Sequence, residues 1–336
     1  MSADTQLTKN PIHIQTDLLK DTSQKNEISS IVSQHPQAAF ARHETFHPRF
    51  GWIKKGFDRS QHNSNVFLRD DATTILGVGK NMVRSIRYWC AAFKVLAETQ
   101  EKNARIKDIV PTSFGARLLA DDGWDPYLED PASLWLLHWY LLKPSCLATT
   151  WYFTFACFKR AEFSIESLYN ALDEYVHQQF PNHSVAESSL QKDIFCLLHM
   201  YVGVKSRSNA IEEMLDSPFT ALGLIQPESD NKHYSFHVGY KNTLPPEIIV
   251  AACLEFAESL GKGERTISIP RLMYEEGSPG TIFKLTESTL IDAIEQVTLA
   301  DQRLSLSNTA GIIQLTFTQH PADLAEALLN QYYQHD

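Results

Sequence analysis

The stretch TTILGVGKNMVRSIRYWCAAF, residues 73–93, decides how the rest of the chain is read. Placed on a helix at about 100° per residue, Met82, Val83, Ile86, Trp89, Cys90 and Phe93 fall on one arc. Lys80, Asn81, Arg84, Ser85, Arg87 and Tyr88 fall on the other. The apolar arc suits a core, and the cationic arc suits a polyanion. Just upstream, DDATTILGV (70–78) reads as a short helix with Asp70 or Asp71 as N-cap, Ala72 and Leu76 on one face, and Gly77 turning the chain. Together these segments form a helix-turn-helix pattern.

Working downstream, VLAETQEKNARIKDIV (95–110) holds two alternating runs around the polar turn Gln100 to Asn103, the pattern of a hairpin or wing. PTSFGARLLADD (111–122) resumes a helix. The expected order is that of a winged helix, whose second helix enters the major groove while the hairpin rides on the backbone. Lys102, Arg105 and Lys107 on the hairpin suit phosphate contact. Asn81 and Arg84 are the candidates for base reading, because Asn pairs with adenine and Arg with guanine. The competing reading is a surface helix with solvated cations, or a winged helix that binds protein.

Charge separates along the chain. The net charge is −10, which taken alone argues against nucleic acid. Yet residues 41–120 hold 14 Lys and Arg against seven Asp and Glu, whereas residues beyond 120 hold 13 against 29. A basic segment attracts phosphate, and an acidic body limits nonspecific adhesion.

The remaining organisation is mainly helical. Residues 1–40 read as a flexible polar arm, 41–120 as the basic winged-helix domain, 121–240 as a helical middle domain, and 241–336 as an acidic C-terminal unit. DPASLWLLHWYLLK opens with Asp130 as N-cap and Pro131 at the first helical position, and is apolar nearly all round, hence buried. SIESLYNALDEYVHQQF and SSLQKDIFCLLHMYV look like a second helix pair. The last third is winged-helix-like: TESTLIDAIEQVT, capped by Thr286, precedes a hairpin around Asn308 to Gly311. Glu287, Asp292 and Glu295 on that helix repel phosphate, which suits a protein-docking copy. The expected fold class is thus mainly α: an N-terminal winged helix-turn-helix, an acidic helical body, a second winged-helix-like unit and small β-hairpins. Five scattered cysteines with no CxxC pair read as buried free thiols and argue against structural zinc. There is no apolar run of membrane-spanning length and no secretory pattern, so the expectation is a cytoplasmic protein that does not engage a membrane.

HETFHPRFGWIKKGFD (43–58), DDATTILGVGKNMVRSIRYWC, DDGWDPYLEDPASLWLLHWYL, SPFTALGLI, GSPGTIFKL and NTAGIIQL occur in one order. From residue 43 onward the chain resembles the bacterial domain-of-unknown-function family typified by SspB. The resemblance implies a place in a DNA phosphorothioation and phage-defence system, in which sulfur replaces a non-bridging phosphate oxygen. It implies nicking of one strand of double-stranded DNA beside three partners: a cysteine desulfurase, an ATPase and an ATP-pyrophosphatase-like sulfur-transfer protein. It does not name the residues that cut.

Nicking calls for carboxylate-held Mg²⁺ or Mn²⁺, or for a covalent nucleophile. No cofactor motif is evident, and neither a PD-(D/E)xK nor an HNH pattern is present. His43 and Glu44 are the candidate catalytic residues, as general base and metal ligand, with Arg49, Lys54 and Lys55 clamping phosphate. The other reading packs Phe46, Phe50 and Trp52 and leaves the cations as passive DNA contacts. Asp121, Asp122 and Asp125 are further candidate metal ligands, set against helix capping and a turn at Gly123 and Pro126. Tyr88 is a candidate covalent nucleophile if exposed. The alternative function is a non-catalytic specificity subunit or a winged-helix transcriptional regulator.

Overall fold

The computed structural model describes residues 36–99, 108–202, 217–230, 232–261 and 263–334. Its first elements are α1 (Trp52–His62), α2 (Ala72–Leu76), α3 (Lys80–Ala92), β1 (Leu96–Glu98), β2 (Ile109–Pro111) and α4 (Ser113–Leu119). β1 and β2 pair antiparallel, with Leu96 opposite Pro111 and Glu98 opposite Ile109. The Ile109 N–H donates to the Ser64 carbonyl (3.0 Å), so the segment after α1 touches the open edge of the hairpin.

The central layer is α5 (Pro131–Leu142) and α6 (Thr149–Tyr152), the latter continuing into a π-helical turn over Phe153–Cys157. Asp130 caps α5 by accepting from the Ala132 N–H (2.8 Å), and Pro131 opens the helix as the sequence predicts. Ten of the twelve α5 residues are buried, because a helix apolar on every side can rest only inside. Trp89, Trp135, Trp139 and Trp151 are fully buried in one core that runs from α1 to the last helix. His138 sits among them. Its Nε2 lies 3.1 Å from the Ile282 carbonyl, which can only accept, so Nδ1 accepts from the Tyr201 hydroxyl (2.7 Å).

Beyond this layer one connectivity occurs twice. β3 (Glu162–Ser164), α7 (Ile165–Gln179), α8 (Glu187–Tyr201), β4 (Ile225–Pro227) and β5 (His233–Phe236) form an antiparallel sheet in the order β3-β5-β4. α9 (Pro246–Leu260) then leads to β6 (Thr266–Ser268), α10 (Ile269–Tyr274), α11 (Pro279–Ile282), α12 (Glu287–Ala300), β7 (Leu304–Thr309) and β8 (Ile312–Phe317), in the order β6-β8-β7. α13 (Pro321–Gln334) closes the chain against α9. In each sheet the first strand pairs with the last. The β7–β8 hairpin turns at Ala310 and Gly311, both at positive φ (52° and 84°), with Asn308 Oδ1 accepting from the Gly311 N–H (3.0 Å). The expected hairpin is therefore present, as is the Thr286 cap of α12.

Two local expectations change. Asp71 makes no side-chain cap on α2; instead its carboxylate takes a two-bond fork from Arg69 (2.7 and 2.8 Å). The middle region contributes a sheet as well as helices, because strands of three and four residues carry too little alternation to read from sequence. The five cysteines are free, four buried and Cys157 half-buried. No described helix is long and apolar enough to cross a membrane.

Candidate nucleic-acid interface

The candidate interface is centred on α3. Gly77 takes φ 62°, a left-handed conformation that lets the chain reverse between α2 and α3 without Cβ strain. Val83, Ile86, Trp89 and Cys90 then face the core. Lys80 and Asn81 are exposed on the opposite face. The side chain of Arg84 is 55% exposed and lies 3.4 Å from Glu44; that of Arg87 is 32% exposed and lies 3.1 Å from Glu98. Such solvated pairs contribute only about 0–1 kcal/mol, so either guanidinium can exchange its carboxylate for a phosphate at little cost. Both expected arcs are there, with two exceptions. Ser85 is buried near the Phe46 carbonyl, and Tyr88 donates its hydroxyl to the Leu147 carbonyl (3.2 Å). Burial raises the Tyr88 pKa well above its ordinary value, with Asp193 adding to the effect. Tyr88 is therefore not the exposed phenol that a covalent mechanism requires.

Within the segment expected to form the wing, residues 96–98 and 109–111 pair antiparallel as β1 and β2. Lys102, Arg105 and Lys107 lie outside the described residues.

Segment 43–58 splits by direction. His43 is 1% exposed, with Nε2 2.9 Å from Asp193 Oδ1 and its ring among Tyr88, Trp89 and Trp151. Asp193 also accepts from the Ala41 N–H (2.8 Å) and the Thr150 hydroxyl (2.8 Å). This buried carboxylate of α8 gathers three segments, and sequence reasoning missed it because Asp193 sits in an ordinary amphipathic run. Glu44 points the other way, to Arg84. The two candidate catalytic residues are neighbours in sequence and do not converge in space. Arg49 lies over the Phe46 and Trp52 rings, 5.8 and 5.5 Å from their centroids. The side chain of Lys54 is only 11% exposed; Nζ donates to the Leu119 carbonyl (3.0 Å) and pairs with Asp58 (2.9 Å) and Asp121 (3.2 Å). Burial opposes that charge, but Asp58 and Asp121 outweigh it and hold the pKa above its usual value. Lys55 is exposed and donates to the Leu76 carbonyl (3.2 Å), bracing the end of α2.

The acidic cluster acts as loop scaffolding. Asp125 Oδ1 and Oδ2 accept from the Glu129 and Asp130 N–H groups (2.9 and 3.0 Å), and Asp130 also accepts from the Tyr332 hydroxyl (3.0 Å). Asp121 is bound to Lys54, and Asp122 is exposed. Among the described residues no three His, Cys, Asp or Glu side chains converge in a way that could hold a metal. Glu44, Asp121, Asp122 and Asp125 therefore do not fit the expected Mg²⁺ or Mn²⁺ site as a set: each is engaged elsewhere or stands apart.

The equivalent helices of the later units differ in charge. α8 exposes Gln191, Lys192, Phe195 and His199, and α12 exposes Glu287, Asp292 and Glu295. Of these three helices, α3 is the one whose outward face is dominated by cations.

The family model described as "Protein of unknown function (DUF4007)" matches residues 40–333. A solved structure described as "SspB crystal structure" is 39% identical, with 91% of each chain covered and a TM-score of 0.84. A second, "Magnesium ion-bound SspB crystal structure", is also 39% identical, covering 91% of this chain and 90% of that one at the same TM-score of 0.84. No curated protein matches the chain.

Proposed function

This chain belongs to the DUF4007 family, and from that premise we propose that it engages duplex DNA through the outward face of α3, as a component of a phosphorothioation system. The observation that carries the reading is one helix with an apolar side fully engaged in the core and Lys80, Asn81, Arg84 and Arg87 on its open side. Segment α1 to β2 is read as a winged helix, with the hairpin beside the backbone and α3 in the major groove. The β3–β5 and β6–β8 units are read as two further winged-helix-like copies. Their neutral and acidic faces suit docking to partner proteins, namely the cysteine desulfurase, ATPase and sulfur-transfer protein that the SspB resemblance implies.

Nicking of one strand to admit sulfur is the activity the resemblance assigns, with Mg²⁺ or Mn²⁺ as the implied metal. Glu44 beside Arg84 is the one candidate catalytic group at the edge of the DNA face. A second reading, a non-catalytic specificity subunit or regulator, draws support from the lack of converging ligands among the described residues.

Incubating supercoiled plasmid with the full chain and Mg²⁺ or Mn²⁺ separates the two. The nickase reading expects open-circular product that EDTA abolishes, and Glu44→Gln to remove it while DNA binding persists. Intact supercoiled DNA alongside salt-sensitive binding would establish the non-catalytic reading. Activity that survives Glu44→Gln would move the catalytic site elsewhere in the chain.

A further inference from the structure

Beyond residue 120 there are 29 Asp and Glu for 13 Lys and Arg, so a cation there has carboxylates in abundance. Lys159, Arg160, Lys241 and Lys284 are nevertheless among the cations there that have no carboxylate partner among the described residues. Lys159, Arg160 and Lys284 line a cavity of about 410 Å³ where the β5 end of the middle sheet faces α10 and α11. Such a volume lies within the range of small-ligand sites, about 300–1,000 Å³.

Lys284 is held in place from behind. Its backbone is at φ 53°, a left-handed conformation that strains a non-glycine residue. Its carbonyl accepts from the Gly239 N–H (2.8 Å) and from Lys241 Nζ (2.9 Å), which fixes that conformation. Lys284 Nζ gives one proton to the Phe155 carbonyl (2.7 Å) and lies 4.3 Å from the Phe236 ring centroid. Its other protons meet no acceptor among the described residues. Burial, then Lys159, lower the Lys284 pKa to about 7; Lys241 adds to this, and Cys157 opposes it. Burial lowers Lys241 to about 8. Mutual repulsion in a desolvated setting is unfavourable until an anion completes it. Tyr274 and Val238, 63% and 51% exposed, line the same cavity and offer an apolar surface beside the cations.

We propose that this cavity binds the phosphate of a nucleotide, with Lys159, Arg160 and Lys284 on its oxygens and the base against Tyr274 and Val238. Charge-assisted bonds to phosphate, together with base–aromatic contact, are the chemistry these groups supply. The site is separate from α3 and stands whether or not α3 binds DNA.

Calorimetric titration of the full chain with 2′-deoxyadenosine 5′-monophosphate tests it, with inorganic phosphate and a 5′-phosphorylated trinucleotide as parallel probes. Saturable binding is expected, weakened about tenfold or more by Lys159→Ala/Arg160→Ala, an exposed pair whose replacement should leave the melting temperature unchanged. Lys284→Met should likewise weaken it about tenfold or more, whereas Arg84→Ala/Arg87→Ala should not alter it. Tighter binding of the trinucleotide than of the mononucleotide would assign the site to a strand end, and the reverse to a free nucleotide. No saturable binding of any probe, or binding indifferent to Lys159→Ala/Arg160→Ala, would overturn the proposal.

Discussion

His47 is half-buried, its ring centroid 6.1 Å from that of His199. Burial, then His199 and Arg49, lower its pKa from 6.5 to about 4. The unfolded chain therefore binds more protons than the folded one between about pH 6.5 and pH 4. Stability rises with pH across that window, so acidification through it removes stability. His47→Asn should flatten the fall in urea midpoint between these pH values; an unchanged fall would mean that His47 does not carry it. His138, with both ring nitrogens bonded and its pKa lowered to about 3 by burial, acts in the same direction. At this scale the sequence was partly readable. It marked segment 43–58 as a meeting of a histidine, a carboxylate and cations. It gave no means of knowing that His43 turns inward to Asp193, since the partner lies 150 positions away on α8. Lys54 misled for a similar reason, because Asp58 and Asp121 claim the charge that looked free.

Between elements, the packing of α1 on α3 sets the attitude of the cationic face. Gly56 is where the two helices touch: a Cβ there would stand 2.5 Å from Cys90 Sγ and 2.9 Å from Ile86 Cγ2. Gly56→Ala should destabilise the chain by about 1–3 kcal/mol, the usual cost of overpacking, and should weaken DNA binding by tilting α3. Chemical denaturation showing no change in stability would place the helices farther apart than described. Helices were the most legible elements. The caps Asp130 and Thr286 and the all-round apolarity of α5 declare themselves in sequence, because each is a local pattern with a local cause. The β3-β5-β4 sheet was not legible, since β3 finds its pairing partner about 70 positions away. The arc of α3 was read correctly except at its margins, where loop 43–50 and residue Leu147 cover Ser85 and Tyr88.

Across the whole molecule, charge is divided by unit. The segment from 41 to 120 is basic and the remainder acidic, and the three units built on related helix–strand patterns differ chiefly in what their outward helices display. On the function proposed above, the copy that carries α3 is the one that meets DNA, and the neutral and acidic copies are the ones left to meet proteins. Electrostatic binding of this kind depends on counterion release, so its magnitude has meaning only as a function of salt. The most direct test is the salt dependence of duplex DNA affinity for the full chain and for Lys80→Ala/Arg84→Ala/Arg87→Ala. The logarithmic slope should flatten by about 0.9 for each phosphate that is no longer neutralised, or about 2.7 for three, with the melting temperature unchanged. Equal slopes for the two proteins would contradict α3 as the surface that meets DNA.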